Sequence, residues 1–326
     1  MILITGGAGF IGSALVWGFN QGGHRDIVVL DRLGLGDKWK NLSKRQISYA
    51  VPKDQFHSWL EVDQHPPIQA VFHLGACSST TERDADYLMD NNVLFTKRLW
   101  DYCTTQRIPF FYASSAATYG AEEECFLDDH SRIEGLRAIN KYGWSKQLFD
   151  AWAIRQQKTP PHWYGFKFFN VYGPQEYHKG PQASVVHHAF PQVRDTGRLR
   201  LFKSYRPDIE HGHQRRDFVY VKDVVNVLLH FYQHHKQIPS GVYNLGSGEA
   251  RSFADLGRAV FSALEKPAEF EWVEMPEGLK KQYQYFTQAD LTKLRQTAGY
   301  KEPFHTLEAG IRDYVQNYLS RDDSYL

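Results

Sequence analysis

The sequence is poor in the features that define several common protein classes. Its 326 residues contain three cysteines, Cys77, Cys103 and Cys125, too widely spaced for a disulfide framework or a zinc pattern. Such sparse cysteine suits a reducing cytoplasm. No basic segment leads into a short apolar signal-like run, and no apolar run is long enough to span a bilayer, so no membrane partner is expected. Charge is balanced, with 38 Lys plus Arg against 37 Asp plus Glu, which argues against nucleic acid or another polyanion bound through bulk electrostatics. The 15 histidines cluster at His187-His188, His234-His235 and the pair His211 and His213. None forms H-E-x-x-H or joins a cysteine pair, and no metal is expected. Internal repeats and low-complexity tracts are lacking too.

What is present reads as a soluble globular chain, 42% hydrophobic and 23% charged. Its length favours two lobes sharing a cleft over one compact core. The aromatic share is 15%, from 19 Tyr, 21 Phe and 8 Trp, and is read as a well-filled core rather than a special surface.

The most informative segment is Thr5 to Gly12, T-G-G-A-G-F-I-G, which follows the apolar Met1-Ile2-Leu3-Ile4. Gly6 and Gly7 permit a turn closed to other residues. Gly9 lets the backbone approach a pyrophosphate, and Gly12 lets the next helix pack close to the strand. The anion then meets free amides and the dipole at the helix N-terminus. A glycine trio alone also fits a structural turn; the strand before it and I-G-S-A-L-V-W-G-F after it supply the dinucleotide-binding context. A second strand, Ile27–Leu30, ends at Asp31, an acidic residue about 20 positions on.

Further strands are expected at Ala70–Leu74, Phe110–Ala113 and Trp163–Phe169, with helices over Ile11–Asn20, Tyr87–Arg107 and Tyr142–Gln157. This alternation predicts an α/β fold, a doubly wound parallel sheet of Rossmann type with a smaller, discontinuous substrate-binding lobe. Residues 175–216, rich in His, Pro, Gly and Arg, read as loops and a short helix outside the sheet. Strand-like patterns at Arg216–Val221 and Val242–Leu245 imply that the sheet is re-entered, followed by helical pieces Phe253–Leu264 and Leu307–Tyr318. The expected division is 1–171 with 216–248 for the dinucleotide, and 172–215 with 249–326 for the substrate.

Tyr142-Gly-Trp-Ser-Lys146 places a phenol and an ammonium one helical turn apart. Free Tyr, with a pKa near 10, is a poor base at neutral pH; a neighbouring Lys⁺ favours the phenolate and is expected to lower that value. Tyr and Lys at this spacing also occur by chance on many helices. Upstream, however, Tyr112-Ala-Ser-Ser115-Ala-Ala-Thr118-Tyr-Gly120 ends a strand in hydroxyl residues, and strand carboxyl ends line the crevice of a doubly wound sheet. Ser115 and Thr118 are therefore both expected at the substrate oxygen that Tyr142 deprotonates.

With T-G-G-A-G-F-I-G, Y-A-S-S-A-A-T-Y-G, Y-G-W-S-K and F-N-V-Y-G-P, the chain resembles the extended short-chain dehydrogenases/reductases acting on nucleotide sugars. More narrowly, G-A-C-S-S-T-T-E at 75–82, the Lys179-Gly180 pair, R-D-F-V-Y-V at 216–221 and F-T-Q-A-D-L at 286–291 resemble the ADP-L-glycero-D-manno-heptose 6-epimerase family. That resemblance implies a hydride loan: oxidation at carbon 6 of the heptose, then return of the hydride to the other face, for lipopolysaccharide inner-core supply. It implies catalytic roles for Ser115, Tyr142, Lys146 and Lys179, although Lys179 also reads as a solvated loop lysine. Cofactor contacts are implied at Gly6, Gly9, Phe10, Ile11, Gly12, Asp31, Arg32, Lys38, Lys53, Leu74, Gly75, Ala76, Cys77, Ser78, Asn92, Lys146, Val171 and Lys179. Substrate contacts are implied at Ser115, Asn170, Pro181, His188, Phe202, Lys203, Ser204, Tyr205, Arg216 and Tyr283.

Asp31 alone points to NAD through the ribose 2′-hydroxyl. Arg32 and Lys38 point instead to a 2′-phosphate, and the resemblance, with Lys38 and Lys53, favours NADP. Leu74 departs from the acidic residue expected there, Pro181 replaces a small polar residue, and 206–214 reads as a longer loop than the family pattern. A UDP-sugar 4-epimerase remains an alternative, as does a non-catalytic NADP-sensing module on the same fold. A 4,6-dehydratase fits less well, because Ser115-Ala-Ala-Thr118 offers no acid for elimination. Related enzymes imply a homo-oligomer, with a pentamer among the forms.

Overall fold

The structure, a computed structural model, describes residues 1–61, 65–122, 124, 126–280 and 283–326, with the side chains at 57 and 279 left aside. Twelve strands are present among the described residues: β1 (Ile2–Thr5), β2 (Ile27–Asp31), β3 (Tyr49–Pro52), β4 (Ala70–His73), β5 (Phe110–Ser115), β6 (Trp163–Phe168), β7 (Asn170–Tyr172), β8 (Leu199–Phe202), β9 (Arg215–Tyr220), β10 (Gly241–Leu245), β11 (Ala250–Ser252) and β12 (Phe270–Val273). Seven of them form one sheet in the order β10-β6-β5-β4-β1-β2-β3, every neighbouring pair parallel. The expected doubly wound sheet is therefore observed.

Such a sheet is covered on both faces, and its strands read as apolar runs. Alternate residues serve the two layers, as the two-residue period of a strand requires. Ile2, Ile4, Phe72 and Phe111 join the helix Phe10–Gln21 and the helix Val221–His234 in one core. Leu3, Val71, Phe110 and Tyr112 join Leu99, Trp100 and Phe149 in the other. The aromatic surplus is largely interior; Phe72 and Phe111 stack at 4.4 Å.

The helix expected over Tyr87–Arg107 is three pieces: Ala85–Leu88, a π-helical segment Met89–Leu94, and Phe95–Gln106. Arg216–Val221 does not re-enter the main sheet. Instead β9 pairs with β7 and β11 in a small three-stranded sheet, and the main sheet resumes only at β10. Between them lies the helix Val221–His234, which sequence patterning alone did not predict. The smaller lobe adds the β12-β8 pair and the helices Val185–Thr196, Phe253–Ala263 and Leu307–Tyr314. Its apolar interior is continuous with that of the large lobe. Cys77 and Cys103 are free thiols; Cys125 lies outside the described residues. Among the described residues no helix is long and apolar enough to cross a membrane.

Candidate active site

One cavity of about 680 Å³ opens along the carboxyl ends of β1, β4, β5 and β6. Its floor is the glycine turn. Gly6 has φ +67°, and an added Cβ would lie 2.5 Å from the Gly75 nitrogen; at Gly12 it would collide with the Gly6 carbonyl oxygen. The two strand-end loops thus touch through bare backbone. Gly9 is the N-cap of Phe10–Gln21 and supplies no side-chain cap. The first-turn amides of Phe10, Ile11 and Gly12 therefore face the cavity those residues line, a site suited to a pyrophosphate. Leu74, Gly75, Ala76, Cys77 and Ser78 form the opposite lip. Asn92 does not reach the cavity: buried in the π-helical segment, it accepts from the Cys77 N–H (2.9 Å) and donates to the Cys77 carbonyl (3.0 Å) and Ser145 Oγ (3.0 Å). It holds the lip from behind.

Asp31 ends β2 with its carboxylate already engaged, accepting from the Ala8 N–H at 2.9 Å and pairing with Lys38 at 2.5 Å. Beside it a cavity of about 150 Å³ is lined by Asp31, Arg32, Lys38, Lys53, Tyr87 and Asn91. Three cations around so small a space suit a doubly charged oxyanion.

Ser115, Tyr142 and Lys146 meet on the cavity wall. Tyr142 and Lys146 lie on the helix Lys141–Ala153, started by Asn140, whose side chain accepts from the Gly143 N–H at 2.8 Å. The expectation that Lys146 lowers the Tyr142 pKa is not met: burial raises it, and a hydrogen bond with Ser115 opposes that rise. Lys146 donates to the Ala113 carbonyl at 2.8 Å, and burial lowers its own pKa to about 8. Thr118 is not at the substrate side. It is fully buried, donating to the Ser115 carbonyl at 2.8 Å and accepting from Lys167 at 2.6 Å.

Lys179 is half-buried on the cavity wall, 5.4 Å from the Phe10 ring. Burial lowers its pKa, with Glu176 acting against that. The solvated-loop reading is thereby overturned. Its turn is held by residues that sequence reasoning passed over. Gln175 adopts φ +84°, unusual for a residue with a side chain and costing on the order of 1–3 kcal/mol. Buried Asn41 fixes it, donating to the carbonyls of Ala8 (2.9 Å) and Gln175 (3.0 Å) and meeting His178 Nδ1 at 3.1 Å. A single side chain thus ties the glycine turn to the Lys179 turn.

On the substrate side the assignments divide. Asn170 and Val171 line the cavity, with Gln182, Phe218 and Phe253, which were not anticipated. Pro181 and His188 are exposed and do not line it: Pro181 projects from the turn, and His188 sits on an outward face of Val185–Thr196. Phe202 ends β8, and Lys203, the next residue, pairs with Glu274 at 2.7 Å. Ser204 and Tyr205 border a separate open cavity of about 830 Å³ with His211, Arg258 and Trp272; the loop 206–214 is its wall. Arg216 is buried 5.1 Å from the Tyr283 ring, its Nη atoms donating to the carbonyls of Arg215 (2.8 Å) and Gln284. Asp217 stitches the family-like segments together, accepting from Ser247 (2.6 Å), Gly248 (2.9 Å) and Ala289 (2.9 Å) amides.

Comparison with known proteins agrees with this geometry. The model of the NAD dependent epimerase/dehydratase family matches residues 2–246. The chain is 50% identical over 335 residues to the ADP-L-glycero-D-manno-heptose-6-epimerase of Fusobacterium nucleatum, covering 100% of both chains. It is 46% identical over 327 residues to that of Nitratidesulfovibrio vulgaris, again covering 100% of both. The crystal structure of the Helicobacter pylori ADP-L-glycero-D-manno-heptose-6-epimerase superposes with a TM-score of 0.78 at 27% identity, over 97% of this chain and 95% of that one. A Thermus thermophilus UDP-glucose 4-epimerase in complex with NAD shares the fold, with a TM-score of 0.77 at 24% identity and 97% of each chain covered. An epimerase-family fold, with Ser115, Tyr142, Lys146 and Lys179 gathered at one cavity, and full-length identity to named relatives lead to one conclusion: the chain belongs to the NAD dependent epimerase/dehydratase family and, within it, to the ADP-L-glycero-D-manno-heptose-6-epimerases.

Proposed function

We propose that the enzyme inverts carbon 6 of the heptose in ADP-D-glycero-D-manno-heptose, giving the L-glycero epimer by transient oxidation and return of the hydride to the opposite face. The observation that carries this is the shared wall: Ser115, Tyr142, Lys146 and Lys179 line the same cavity as the bare glycine turn. A nicotinamide dinucleotide held at that turn supplies a reversible hydride acceptor. Tyr142 takes the proton of the carbon-6 hydroxyl while Ser115 orients that oxygen and, through its hydrogen bond to Tyr142, offsets part of the burial cost of the phenolate; the Lys146 ammonium, on the same helix, supplies positive charge to the cavity wall. Lys179, its pKa lowered by burial, is the second acid/base group for the ketone in its other orientation. Asn170 contacts the substrate and Val171 the cofactor, both from the cavity wall, and Phe202–Tyr205, Arg216 and Tyr283 are assigned to the nucleotide diphosphate and sugar of the substrate.

NADP is favoured over NAD. Lys38 neutralises Asp31 at 2.5 Å, and Arg32 and Lys53 complete a basic cavity suited to a 2′-phosphate. We assign dinucleotide binding to 1–171 and 216–248 and substrate binding to 172–215 and 249–326; β9, though paired in the small sheet, leads directly into the helix covering the main one. A cytoplasmic homo-oligomer, with a pentamer among its forms, completes the reading, and sedimentation velocity gives the subunit number.

The test is proton NMR of ADP-D-glycero-D-manno-heptose incubated with purified protein without added cofactor. Conversion to the L-glycero epimer is expected. No conversion even after NADP and then NAD are supplied would overturn the substrate assignment and make UDP-sugar 4-epimerisation the next reaction to assay.

A further inference from the structure

We propose that Asp150 and Lys167 are positioning residues for the reacting triad: a buried ion pair behind the cavity wall that fixes the Ser115–Tyr119 turn and supplies the negative charge beneath Lys146. This rests on the reading that Ser115, Tyr142 and Lys146 carry the proton transfers.

Both side chains are 0% exposed, with Lys167 Nζ 2.8 Å from Asp150 Oδ2. Burying two charges is costly unless their remaining hydrogen-bonding capacity is satisfied, and here the partners all belong to the segment leading to the site. Asp150 accepts from the Tyr112 hydroxyl at 3.0 Å and the Ser114 hydroxyl at 2.6 Å, both on β5. Lys167, on β6 opposite Ser114, donates also to Thr118 Oγ1 at 2.6 Å and lies 5.1 Å from the Tyr119 ring. Thr118 passes that constraint to the Ser115 carbonyl at 2.8 Å. The ammonium is therefore two hydrogen bonds from the backbone of the residue that orients the substrate oxygen. Nothing about packing demands this: β6 reads Trp-Tyr-Gly-Phe-Lys-Phe, and an apolar residue at 167 would match its neighbours.

The second half of the device runs along the helix. Tyr142, Lys146 and Asp150 are spaced by four residues and share one face of Lys141–Ala153. Burial pulls the Lys146 pKa down, and the Asp150 charge is the larger of the two influences opposing it, Cys77 being the other. The remaining titratable groups facing Lys146 are Tyr142 and the buried His73, which burial holds neutral with Lys146 and Lys53 adding to the effect. Around Asp150 stand Lys167, Tyr112, Tyr119 and His130, the tyrosines held protonated by burial. Removing the carboxylate charge thus takes away the main support of the Lys146 ammonium.

The experiment compares wild type, Asp150→Asn, the double replacement Asp150→Leu with Lys167→Met, and Thr118→Val. Readouts are kcat and KM against pH, retained dinucleotide absorbance, unfolding temperature, and the Lys146 titration followed by carbon-13 NMR of labelled lysine. The last needs no turnover. In Asp150→Asn, Lys146 is expected to titrate at lower pH than in wild type, with the alkaline limb of kcat moving the same way. The double replacement is expected to fold, since apolar substitutes for a buried pair are often tolerated. It should lose on the order of 10- to 100-fold in kcat with little change in KM. A folded double variant with wild-type kcat and pH profile, or an unchanged Lys146 titration in Asp150→Asn, overturns the proposal. Should neither Asp150 variant fold, Thr118→Val decides, because wild-type kcat there would show that the turn needs no such anchor. A wild type inactive on the heptose substrate would instead refute the functional reading, while the Lys146 titration would still decide this one.

Discussion

At Tyr142, burial and hydrogen bonding pull in opposite directions, and the Ser115 contact is what moderates the cost of forming a phenolate. Replacing Tyr142 by Phe removes the proton acceptor without altering the cavity's shape. Turnover should fall by about 10²–10⁴-fold while the dinucleotide stays bound, checked by single-turnover kinetics and absorbance of the purified variant. Lys146 makes a second expectation specific. Its pKa is lowered to about 8, so the ammonium is present below that pH and lost above it. The rate of the chemical step should therefore decline as pH rises through about 8, and a flat profile to pH 10 would contradict the assignment. Both residues were legible because a phenol and an amine four apart on a helix have a chemical reason to be there. Thr118 was misread for a related reason: sequence shows a hydroxyl near the strand end but not that it points inward to Lys167. Gln175 and Asn41 were invisible, since one owes its role to a positive φ and the other to contacts across 134 residues.

Among elements, the glycine turn and the Lys179 turn are the ones on which the site depends. Gly12→Ala would force a methyl group into the Gly6 carbonyl. Loss of bound dinucleotide is expected, accompanied by a lower unfolding temperature, and a variant purified with full cofactor content would refute the close-packing argument. Asn41→Leu leaves the Ala8 and Gln175 carbonyls without their shared donor, at a cost of about 1–3 kcal/mol. Denaturant unfolding should register that loss, and kcat should fall because Lys179 is no longer held. Six of the seven main-sheet strands were legible from their buried apolar runs, often to within a residue. The edge strand β3, mostly exposed, was not, and neither were the short β7, β8, β11 and β12 of the small sheets. Val185–Thr196 is the short helix expected somewhere within 175–216; Pro191 in its interior kept its bounds from being read. Val221–His234 is rich in β-branched valines, which depress helix propensity; it is helical because one face is buried against the sheet.

For the whole molecule, the two lobes share a continuous apolar core, with the cavity set between the strand ends and the Lys179 turn. Cofactor preference is a property of that arrangement. Arg32, Lys38 and Lys53 come from different segments and converge on one small space, a convergence no single motif reveals. Lys53→Ala should weaken NADP by about tenfold, as expected for a lost charge-assisted contact, and leave NAD nearly unaffected in competition titrations. Equal weakening of both would place Lys53 elsewhere. The overall fold could be inferred from the order of strands, helices and glycines, whereas the contacts that join Arg216 to Tyr283 and close the 202–214 segment could not, because tertiary packing alone makes them. The most direct measurement follows deuterium placed at carbon 6 of ADP-D-glycero-D-manno-heptose through the reaction in ordinary water. If the hydride is lent and returned within one active site, the L-glycero product retains the label at carbon 6. Loss of deuterium to solvent, with protium in its place, would contradict the hydride loan and point to deprotonation at carbon instead.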